Sequence, residues 1–314
     1  MDIRSSIIID KASKSFNGVR AIDSLTFGVG KGEIFGLIGP DGAGKTTLIR
    51  CIAGLLALDA GSITVEGIDV FKNPDQVKNI AGYMSQRFSL YTDLSVLENI
   101  RFFGDLYGIP RRRQLEMIPG LLHFARLEEY KNRRAEYLSG GMRQKLALVC
   151  TLINEPSVLL LDEPTTGVDP VSRLELWQIF RSIRDQGRTV FLSTPYMDEA
   201  ERCDNIGFIH SGKLNALGTP DQMKSMVDGF IFEAIVSKSK AALELLRESH
   251  VFRDVQVFGE RLHIISGEDK SESQVEEILK KIGVDVTAVR KTSPVIEDAF
   301  MQIVQETHEI REDK

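Results

Sequence analysis

Apolar residues occur along the chain in two patterns, which predict strands and helices in alternation. Short continuous apolar runs predict buried strands at residues 33–38, 157–161 and 190–194. The first run leads into a glycine-rich segment. Residues 46–56 then place apolar side chains, from Leu48 to Leu55, at the spacing of one helix face. This alternation over residues 1–220 predicts an α/β domain.

A further helix is predicted to begin near Ser95. Ser95 and Glu98 have the spacing of a capping box, in which each side chain accepts a hydrogen bond from the other residue's backbone N–H. Apolar positions that suit a packed helix face follow at Leu97, Ile100, Phe103 and Tyr107.

The pattern changes near residues 218–220, where we predict a domain boundary. Beyond it we predict a strand, a helix, two strands, a helix and a strand, at residues 230–236, 240–248, 255–258, 262–265, 273–282 and 284–289. This order is that of a ferredoxin-like split unit, and a last helix follows over residues 294–305. We therefore expect a first domain over residues 1–220 and a small α+β domain, without a catalytic constellation, over residues 225–314.

Composition narrows the possible partners. The formal net charge is −6, whereas nucleic-acid binding usually needs a basic face, so no nucleic-acid partner is expected. The run Arg111–Arg113 is interpreted as a solvated helix face. Cys51, Cys150 and Cys203 are too far apart for a disulfide framework or a zinc site, which fits a reducing compartment. Nothing near Met1 resembles a signal peptide, and no apolar run approaches the ~18 residues of a membrane-spanning helix, so any membrane role is expected to be indirect.

Residues 39–46, Gly-Pro-Asp-Gly-Ala-Gly-Lys-Thr, fit the phosphate-binding pattern G-x-x-x-x-G-K-[ST]. Glycines let backbone N–H groups wrap a triphosphate, and the following helix points its positive end at the phosphates. Lys45 is expected to reach the β- and γ-phosphates, and the Thr46 hydroxyl to bind Mg²⁺. The alternative is a glycine-rich turn that ends in Lys-Thr by chance. It is disfavoured because a strand precedes the loop and a helix follows it.

A second site element is the apolar run 158–161, which ends in Asp162 and Glu163. A buried parallel strand delivers such carboxylates to the edge of the sheet where phosphates bind. Asp162 is expected to hold the magnesium shell, and Glu163 to polarise the attacking water as a general base.

Residues 138–142, Leu-Ser-Gly-Gly-Met, closely resemble the LSGGQ signature of ATP-binding cassette (ABC) proteins. They lie between the phosphate loop and the Asp-Glu strand, which is the order in that family. Phe16 occupies the place of the family's adenine-stacking aromatic, Gln86 resembles the Q-loop glutamine, and residues 168–170 resemble the D-loop. The resemblance covers approximately residues 3–220.

This resemblance implies a P-loop ABC cassette with a RecA-like core, an antiparallel β subdomain and an α-helical subdomain. The residues expected to contact ATP are Phe16, Gly39, Pro40, Asp41, Gly42, Ala43, Gly44, Lys45, Thr46, Thr47, Gln86, Ser139, Gly140, Gly141 and Asp162. The expected Mg²⁺ ligands are Thr46, Gln86 and Asp162. The expected catalytic residues are Glu163, Gln86 and Lys45.

The resemblance also implies partners. Such cassettes pair head to tail, so that the signature of one contacts the ATP of the other. The segments 86–91 and 196–201 and the tail 294–300 resemble drug-export and ABC-2-type ATPases. An ABC-2-type permease is therefore the expected membrane partner, with Phe88, Leu90 and Tyr91 lining its docking groove. The chain is expected in the cytoplasm, peripheral on the inner membrane.

One position departs from the family pattern. Pro195 stands where these proteins usually carry a switch histidine, and proline has neither a ring nitrogen nor a backbone N–H. Two interpretations stay open: a slowly hydrolysing homodimer that relies on Glu163, and the impaired half of an asymmetric heterodimer. The competing functions are a non-transport ABC ATPase and a non-hydrolysing regulatory cassette.

Overall fold

The computed structural model describes residues 5–87 and 90–312, with the backbone alone over residues 305–312. The chain divides into two compact units, Met1–Thr219 and Pro220–Lys314. The division lies where the hydrophobic pattern changes, although the second unit begins at Pro220 rather than at 225. Among the described residues, no helix is both long and apolar enough to cross a bilayer.

The first unit contains two sheets. Its strands are β1 (Ser5–Phe16), β2 (Val19–Gly30), β3 (Ile34–Ile38), β4 (Ala60–Val65), β5 (Ile68–Asp69), β6 (Ala81–Met84), β7 (Val158–Asp162), β8 (Thr189–Thr194), β9 (Asn205–His210) and β10 (Lys213–Gly218). One sheet is antiparallel, in the order β2-β1-β4-β5, and the other has the order β10-β9-β3-β8-β7-β6. In the second sheet the strands from β9 to β6 run parallel, and only β10 is antiparallel.

The helices of the first unit are α1 (Lys45–Ile52), α2 (Pro74–Ile80), α3 (Val96–Leu106), α4 (Arg111–Ala125), α5 (Gly140–Leu152), α6 (Pro170–Asp185) and α7 (Met197–Ala200). Two 3₁₀ turns, Glu128–Tyr130 and Ala135–Tyr137, lie between α4 and α5. Helices α3, α4 and α5 share a separate apolar cluster that includes Ile100, Leu122 and Leu146. This cluster makes a helical layer distinct from the core of the sheets.

Local sequence signals explain where several helices begin and end. The capping box predicted at Ser95 and Glu98 is present at the start of α3. The prediction that α1 extends to residue 56 is wrong, because Gly54 adopts φ +70° and Leu55 is 56% exposed. Tyr107 also lies past the end of its helix and is 40% exposed, so it is not part of the packed face. The arginines 111–113 are exposed at the start of α4, as predicted.

The second unit comprises α8 (Pro220–Ser225), β11 (Phe230–Val236), α9 (Ser239–Ser249), β12 (Asp254–Phe258), β13 (Arg261–Ser266), α10 (Glu272–Ile282), β14 (Val286–Thr292) and α11 (Ile296–Glu312). Its four strands form an antiparallel sheet in the order β12-β13-β11-β14. Leu246 and Leu279, from α9 and α10, share a core with Phe232 and Ile264 of the sheet. The elements from β11 to β14 follow the predicted strand and helix order.

The parallel register places the ends of three strands side by side. β3 pairs with β8 up to Ile38 and Thr194, and β7 pairs with β8 up to Asp162 and Ser193. The segments that follow these strands therefore meet at one edge of the sheet, which is where ligands bind in parallel α/β folds.

Candidate functional site

The loop after β3 contains three glycines, and at two of them a side chain would collide with a neighbouring backbone. A Cβ atom on Gly39 would lie 2.1 Å from the carbonyl oxygen of Ile209. Gly44 adopts φ +108°, and a Cβ there would lie 2.2 Å from the carbonyl oxygen of Ala21. Gly42 has φ +78° and faces open space. The backbone of residues 39–44 is thus held against neighbouring strands while its apex stays exposed.

Lys45 begins α1, and its side chain is almost completely buried. Its Nζ donates hydrogen bonds to the carbonyl oxygens of Gly39, at 2.8 Å, and Pro40, at 3.0 Å. The same atom lies 3.6 Å from Oε1 of Glu163 and 4.0 Å from Oδ1 of Asp41. The ammonium is therefore held over the loop, at the N-terminus of the helix, where an anion would bind.

Asp162 ends β7 and is 1% exposed. Its Oδ1 accepts hydrogen bonds from the hydroxyls of Thr46, at 3.0 Å, and Ser193, at 2.8 Å. Its Oδ2 is buried and has no hydrogen-bond partner in the described part of the chain. A buried carboxylate oxygen without a partner is costly unless a cation or a water completes it, so Thr46 and Asp162 fit a hard cation such as Mg²⁺.

The remaining described residues add little to such a cation site. Within residues 5–87 and 90–312, no group of three His, Cys, Asp or Glu side chains is arranged to hold a metal. In nucleotide sites Mg²⁺ usually keeps several waters and binds through one or two carboxylates together with substrate phosphates.

Glu163 follows β7 in an unusual backbone conformation, with φ +49°. Its side-chain Oε2 accepts hydrogen bonds from Nε2 of Gln86, at 2.8 Å, and from the hydroxyl of Thr166, at 3.2 Å. Together with the neighbouring Lys45, these contacts bring the three predicted catalytic residues into one place. Gln86 directs its side-chain amide to Glu163.

These residues surround a cleft of about 290 Å³. Its lining consists of Ala21, Asp41, Gly42, Gly44, Lys45, Thr46, Thr47, Gln86 and Glu163. Predicted ATP contacts that do not line it are Phe16, Gly39, Pro40, Ala43, Ser139, Gly140, Gly141 and Asp162. Gly39, Pro40 and Ala43 belong to the same loop as the lining residues. Asp162 binds one of the lining residues, since its Oδ1 accepts a hydrogen bond from the Thr46 hydroxyl. Phe16 and the 139–141 segment are the predicted contacts that the chain does not bring into the cleft.

Phe16 ends β1 and is 47% exposed. Lys14 Nζ lies 5.7 Å from its ring centroid. An aromatic ring this exposed at a hairpin end has a face available for stacking.

The 139–141 segment begins α5. Ser139 is the N-cap, and its hydroxyl accepts a hydrogen bond from the Met142 N–H at 3.2 Å. A Cβ on Gly141 would lie 2.2 Å from Oγ of Ser172, so glycine lets α5 approach α6. Asp169 caps α6, and hydrogen bonds from Ser172, first of all from its backbone N–H, lower the pKa of that carboxyl.

The segment after β8 contains Pro195. The Tyr196 N–H donates to the Thr194 hydroxyl at 3.0 Å, and the Arg173 guanidinium lies 4.6 Å from the Tyr196 ring centroid. None of the residues that line the cleft is a histidine. His263 lies in the second unit instead, where it is buried and its Nδ1 lies 3.1 Å from Oδ1 of Asp298.

Two residues that bind predicted site residues were not themselves predicted from sequence, namely Ser193 and Thr166. Each places a hydroxyl on a predicted site residue, Ser193 on Asp162 and Thr166 on Glu163. A small polar residue at the end of an apolar strand was the available signal for Ser193. Its partner could be known only from the β7–β8 register.

Comparison with known proteins agrees with this geometry. A family model for ABC transporters matches residues 22–166. The daunorubicin resistance ATP-binding protein DrrA3 of Streptomyces coeruleorubidus is 34% identical over 314 residues, covering 98% of each chain. The chain belongs to the ABC transporter family. This ABC cassette therefore has the ATP-binding fold of the family's ATPases.

Other relatives agree. The probable multidrug ABC transporter ATP-binding protein YbhF of Escherichia coli is 37% identical over 95% of this chain, and this chain spans about half of that relative's length (52%). The Nod factor export ATP-binding protein I of Rhizobium sp. is 36% identical over 95% of this chain and 97% of its own length.

Solved structures of ATP-binding cassettes share this fold. A structure of the ATP-binding subunit of an ABC transporter is 30% identical, with a TM-score of 0.63, over 70% of this chain and 92% of its own. A nucleotide-free ATP-binding cassette shares the fold at 23% identity, with a TM-score of 0.65, over 70% of this chain and 94% of its own. The predicted fold class of the first unit is therefore confirmed.

Proposed function

We propose that this ABC cassette is the ATP-hydrolysing subunit of an exporter and drives a separate ABC-2-type membrane permease. The meeting of Lys45, Gln86 and Glu163 in one cleft carries the proposal of hydrolysis. Export is supported by the relatives, which are named for multidrug transport, daunorubicin resistance and Nod factor export. The chain would act in the cytoplasm and reach the inner membrane only through the permease.

In this proposal each cleft residue has one task. The backbone N–H groups of residues 39–44 and the Lys45 ammonium bind the phosphates, and Lys45 exchanges its loop carbonyls for phosphate oxygens. Mg²⁺, held by Thr46 and Asp162 with Gln86 nearby, would neutralise charge on those oxygens. Glu163 takes a proton from the attacking water, so its carboxylate must first exchange the donors that it holds now.

A second cassette would complete the site. Ser139 and Gly140 lie at the accessible start of α5 and away from this chain's own cleft. A helix N-terminus of this kind binds anions, so Ser139, Gly140 and Gly141 would meet the γ-phosphate held by a partner cassette. The ring of Phe16 would stack on the adenine of this chain's own ATP.

The permease groove is proposed to include Leu90 and Tyr91, whereas the Phe88 of the same prediction lies outside the described residues. Tyr91 is 45% exposed, and its ring centroid lies 4.3 Å from that of Phe102 on α3. Leu90 packs against the apolar cluster of α3, α4 and α5. An apolar rim of this kind suits a helix-in-groove contact. Leu90→Asp should prevent co-purification with the permease, and unchanged co-purification would remove this assignment.

The proposal has two forms, which differ in the effect of Pro195 on hydrolysis. In the first, Glu163 suffices and a homodimer hydrolyses ATP slowly. In the second, this chain's own site is impaired and its signature completes a competent site on a different cassette. Loss of a positioned acid, base or donor lowers the rate of hydrolysis by a factor on the order of 10²–10⁴. Turnover measured on this chain's own site therefore distinguishes the two forms.

Steady-state ATP hydrolysis by the purified chain tests the proposal, beside Glu163→Gln and Pro195→His. Turnover that Glu163→Gln abolishes supports hydrolysis by the chain alone. Binding without turnover, with turnover restored by Pro195→His, supports the impaired half of a heterodimer. If the chain binds ATP and Pro195→His leaves it silent, the non-hydrolysing regulatory cassette becomes the better function. If Glu163→Gln retains full turnover, Glu163 is not the base.

A further inference from the structure

We infer that Ser193 is a positioning residue for ATP hydrolysis, which sets both the Asp162 carboxylate and the Glu163 backbone. This inference rests on the proposed hydrolytic function. Ser193 is completely buried in β8 and lies directly opposite Asp162 in the parallel pairing with β7. It therefore belongs to the strand beside the one that carries both acidic residues.

The hydroxyl of Ser193 makes two hydrogen bonds with a fixed direction. Its Oγ donates to Oδ1 of Asp162 at 2.8 Å and accepts from the Glu163 N–H at 3.1 Å. An ionised carboxylate can only accept and a backbone N–H can only donate, so the hydroxyl proton must point to Asp162. One side chain thereby joins two consecutive residues that have different tasks.

For Asp162 this contact decides which oxygen stays available. Thr46 and Ser193 both donate to Oδ1, and the buried Oδ2 has no hydrogen-bond partner among the described residues. Two donors on one oxygen restrain rotation of the carboxylate and keep Oδ2 directed away from them. Residues that bind a metal ligand in this way commonly affect metal affinity or activity by about 10–100-fold when they are changed.

For Glu163 the contact holds a backbone conformation that side-chain-bearing residues rarely adopt. A left-handed φ of +49° persists only where the surroundings impose it. The Glu163 N–H is bound by both the hydroxyl and the carbonyl oxygen of Ser193, at 3.1 Å and 3.2 Å. This turn directs the Glu163 side chain to Gln86 and Thr166 in the cleft.

The chain depends on this arrangement because of Pro195. Proline at the switch position can neither bind the γ-phosphate nor orient the water through its side chain. Orientation of the attacking water then depends on Glu163 and on the residues that hold Glu163 in place. Ser193 lies two residues before Pro195, and its hydroxyl and carbonyl oxygen bind the Glu163 N–H.

Ser193→Ala tests this inference, because it removes the hydroxyl and keeps the backbone carbonyl that also binds Glu163. The matched control is Ser157→Ala, which removes a hydroxyl that donates to the Ile80 carbonyl oxygen, at 3.2 Å, beside the opposite end of β7. Calorimetric binding of a non-hydrolysable ATP analogue is measured in EDTA and across a Mg²⁺ titration. Steady-state kcat and KM for ATP are measured in parallel, with thermal unfolding as the folding control.

Ser193→Ala is expected to lower the apparent Mg²⁺ affinity of the analogue complex, and kcat, by about 10–100-fold. Affinity in EDTA and KM for ATP should stay within about twofold of the Ser157→Ala values. The inference is overturned if Ser193→Ala matches Ser157→Ala in Mg²⁺ dependence, or if affinity in EDTA falls by the same factor. If the unmodified chain lacks turnover, hydrolysis by the chain alone is ruled out, while the Mg²⁺ titration still decides the role of Ser193. Should Ser193→Ala fold poorly, Ser193→Cys keeps a similar volume with a weak donor, and the same two readouts apply.

Discussion

Replacement of Glu175 by alanine should destabilise the cassette unit by ~2–3 kcal/mol. Glu175 lies on α6, and Lys145, on the helix that begins with the signature, donates a hydrogen bond to its Oε2. Arg126, at the end of α4, donates to Oε1 at 3.0 Å. One carboxylate thus joins three helices of this unit.

The magnitude follows from what the substitution leaves behind. The Lys145 side chain is 7% exposed and the Glu175 side chain 26%. Removal of one partner of a fully buried pair costs ~3–5 kcal/mol, since the remaining charge is desolvated and unpaired. Because the Glu175 side chain is partly exposed to water, the expected loss of stability lies at or below the lower end of that range. Removing both charges, as in Lys145→Met with Glu175→Leu, should recover most of the loss.

Urea unfolding measures this directly, because the only tryptophan, Trp177, is buried on α6 two residues from Glu175. The expected midpoint shift is about 1 M. The reasoning is refuted if Glu175→Ala unfolds within about 0.5 kcal/mol of the unmodified chain. It is also refuted if the double variant is less stable than Glu175→Ala.

The same pair predicts a pH dependence. The hydrogen bond from Lys145, followed by the charges of Lys145 and Arg126, lowers the pKa of Glu175 in the folded chain. A depressed folded pKa contributes stability that is fully present above the ordinary carboxyl pKa of about 4.3 and is lost as the pH falls through the folded value. The stability gap to Glu175→Ala should therefore be full at pH 7 and shrink below about pH 4.

Three further predictions concern single sites. Gly44→Ala should abolish nucleotide binding, measured by calorimetry, while the chain stays folded. Residue 44 has φ +108°, and its added Cβ would lie 2.2 Å from the Ala21 carbonyl oxygen. Retained affinity would contradict the role of the loop. Ser95→Ala removes the capping box of α3 and should lower the free energy of unfolding by about 1 kcal/mol, and an unchanged urea midpoint would show that the cap is replaceable. Burial raises the pKa of the Cys51 thiol to about 12, so iodoacetamide at pH 8 should label it only after unfolding, and fast labelling of the folded chain would disprove its burial.

Much of the site was predictable from sequence because its tasks are local. A phosphate loop needs consecutive backbone N–H groups and a helix start, so residues 39–46 carry the whole signal in one stretch. Asp162 and Glu163 follow an apolar strand, and parallel strands present such ends at the ligand edge. The capping box at Ser95 is local in the same sense. Each of these signals depends on residues within a few positions of one another.

The sequence by itself therefore determined the strand and helix beside the phosphate loop, the loop itself, the two carboxylates, the order of elements from β11 to β14 and the departure at Pro195. The tertiary structure alone decided which hydroxyl faces which carboxylate, because Ser193 meets Asp162 through strand register across 31 positions. It also decided that Leu55 lies outside its helix, where a left-handed Gly54 ends the turn. Pairings between distant segments depend on packing and register, and hydrophobic periodicity does not encode them.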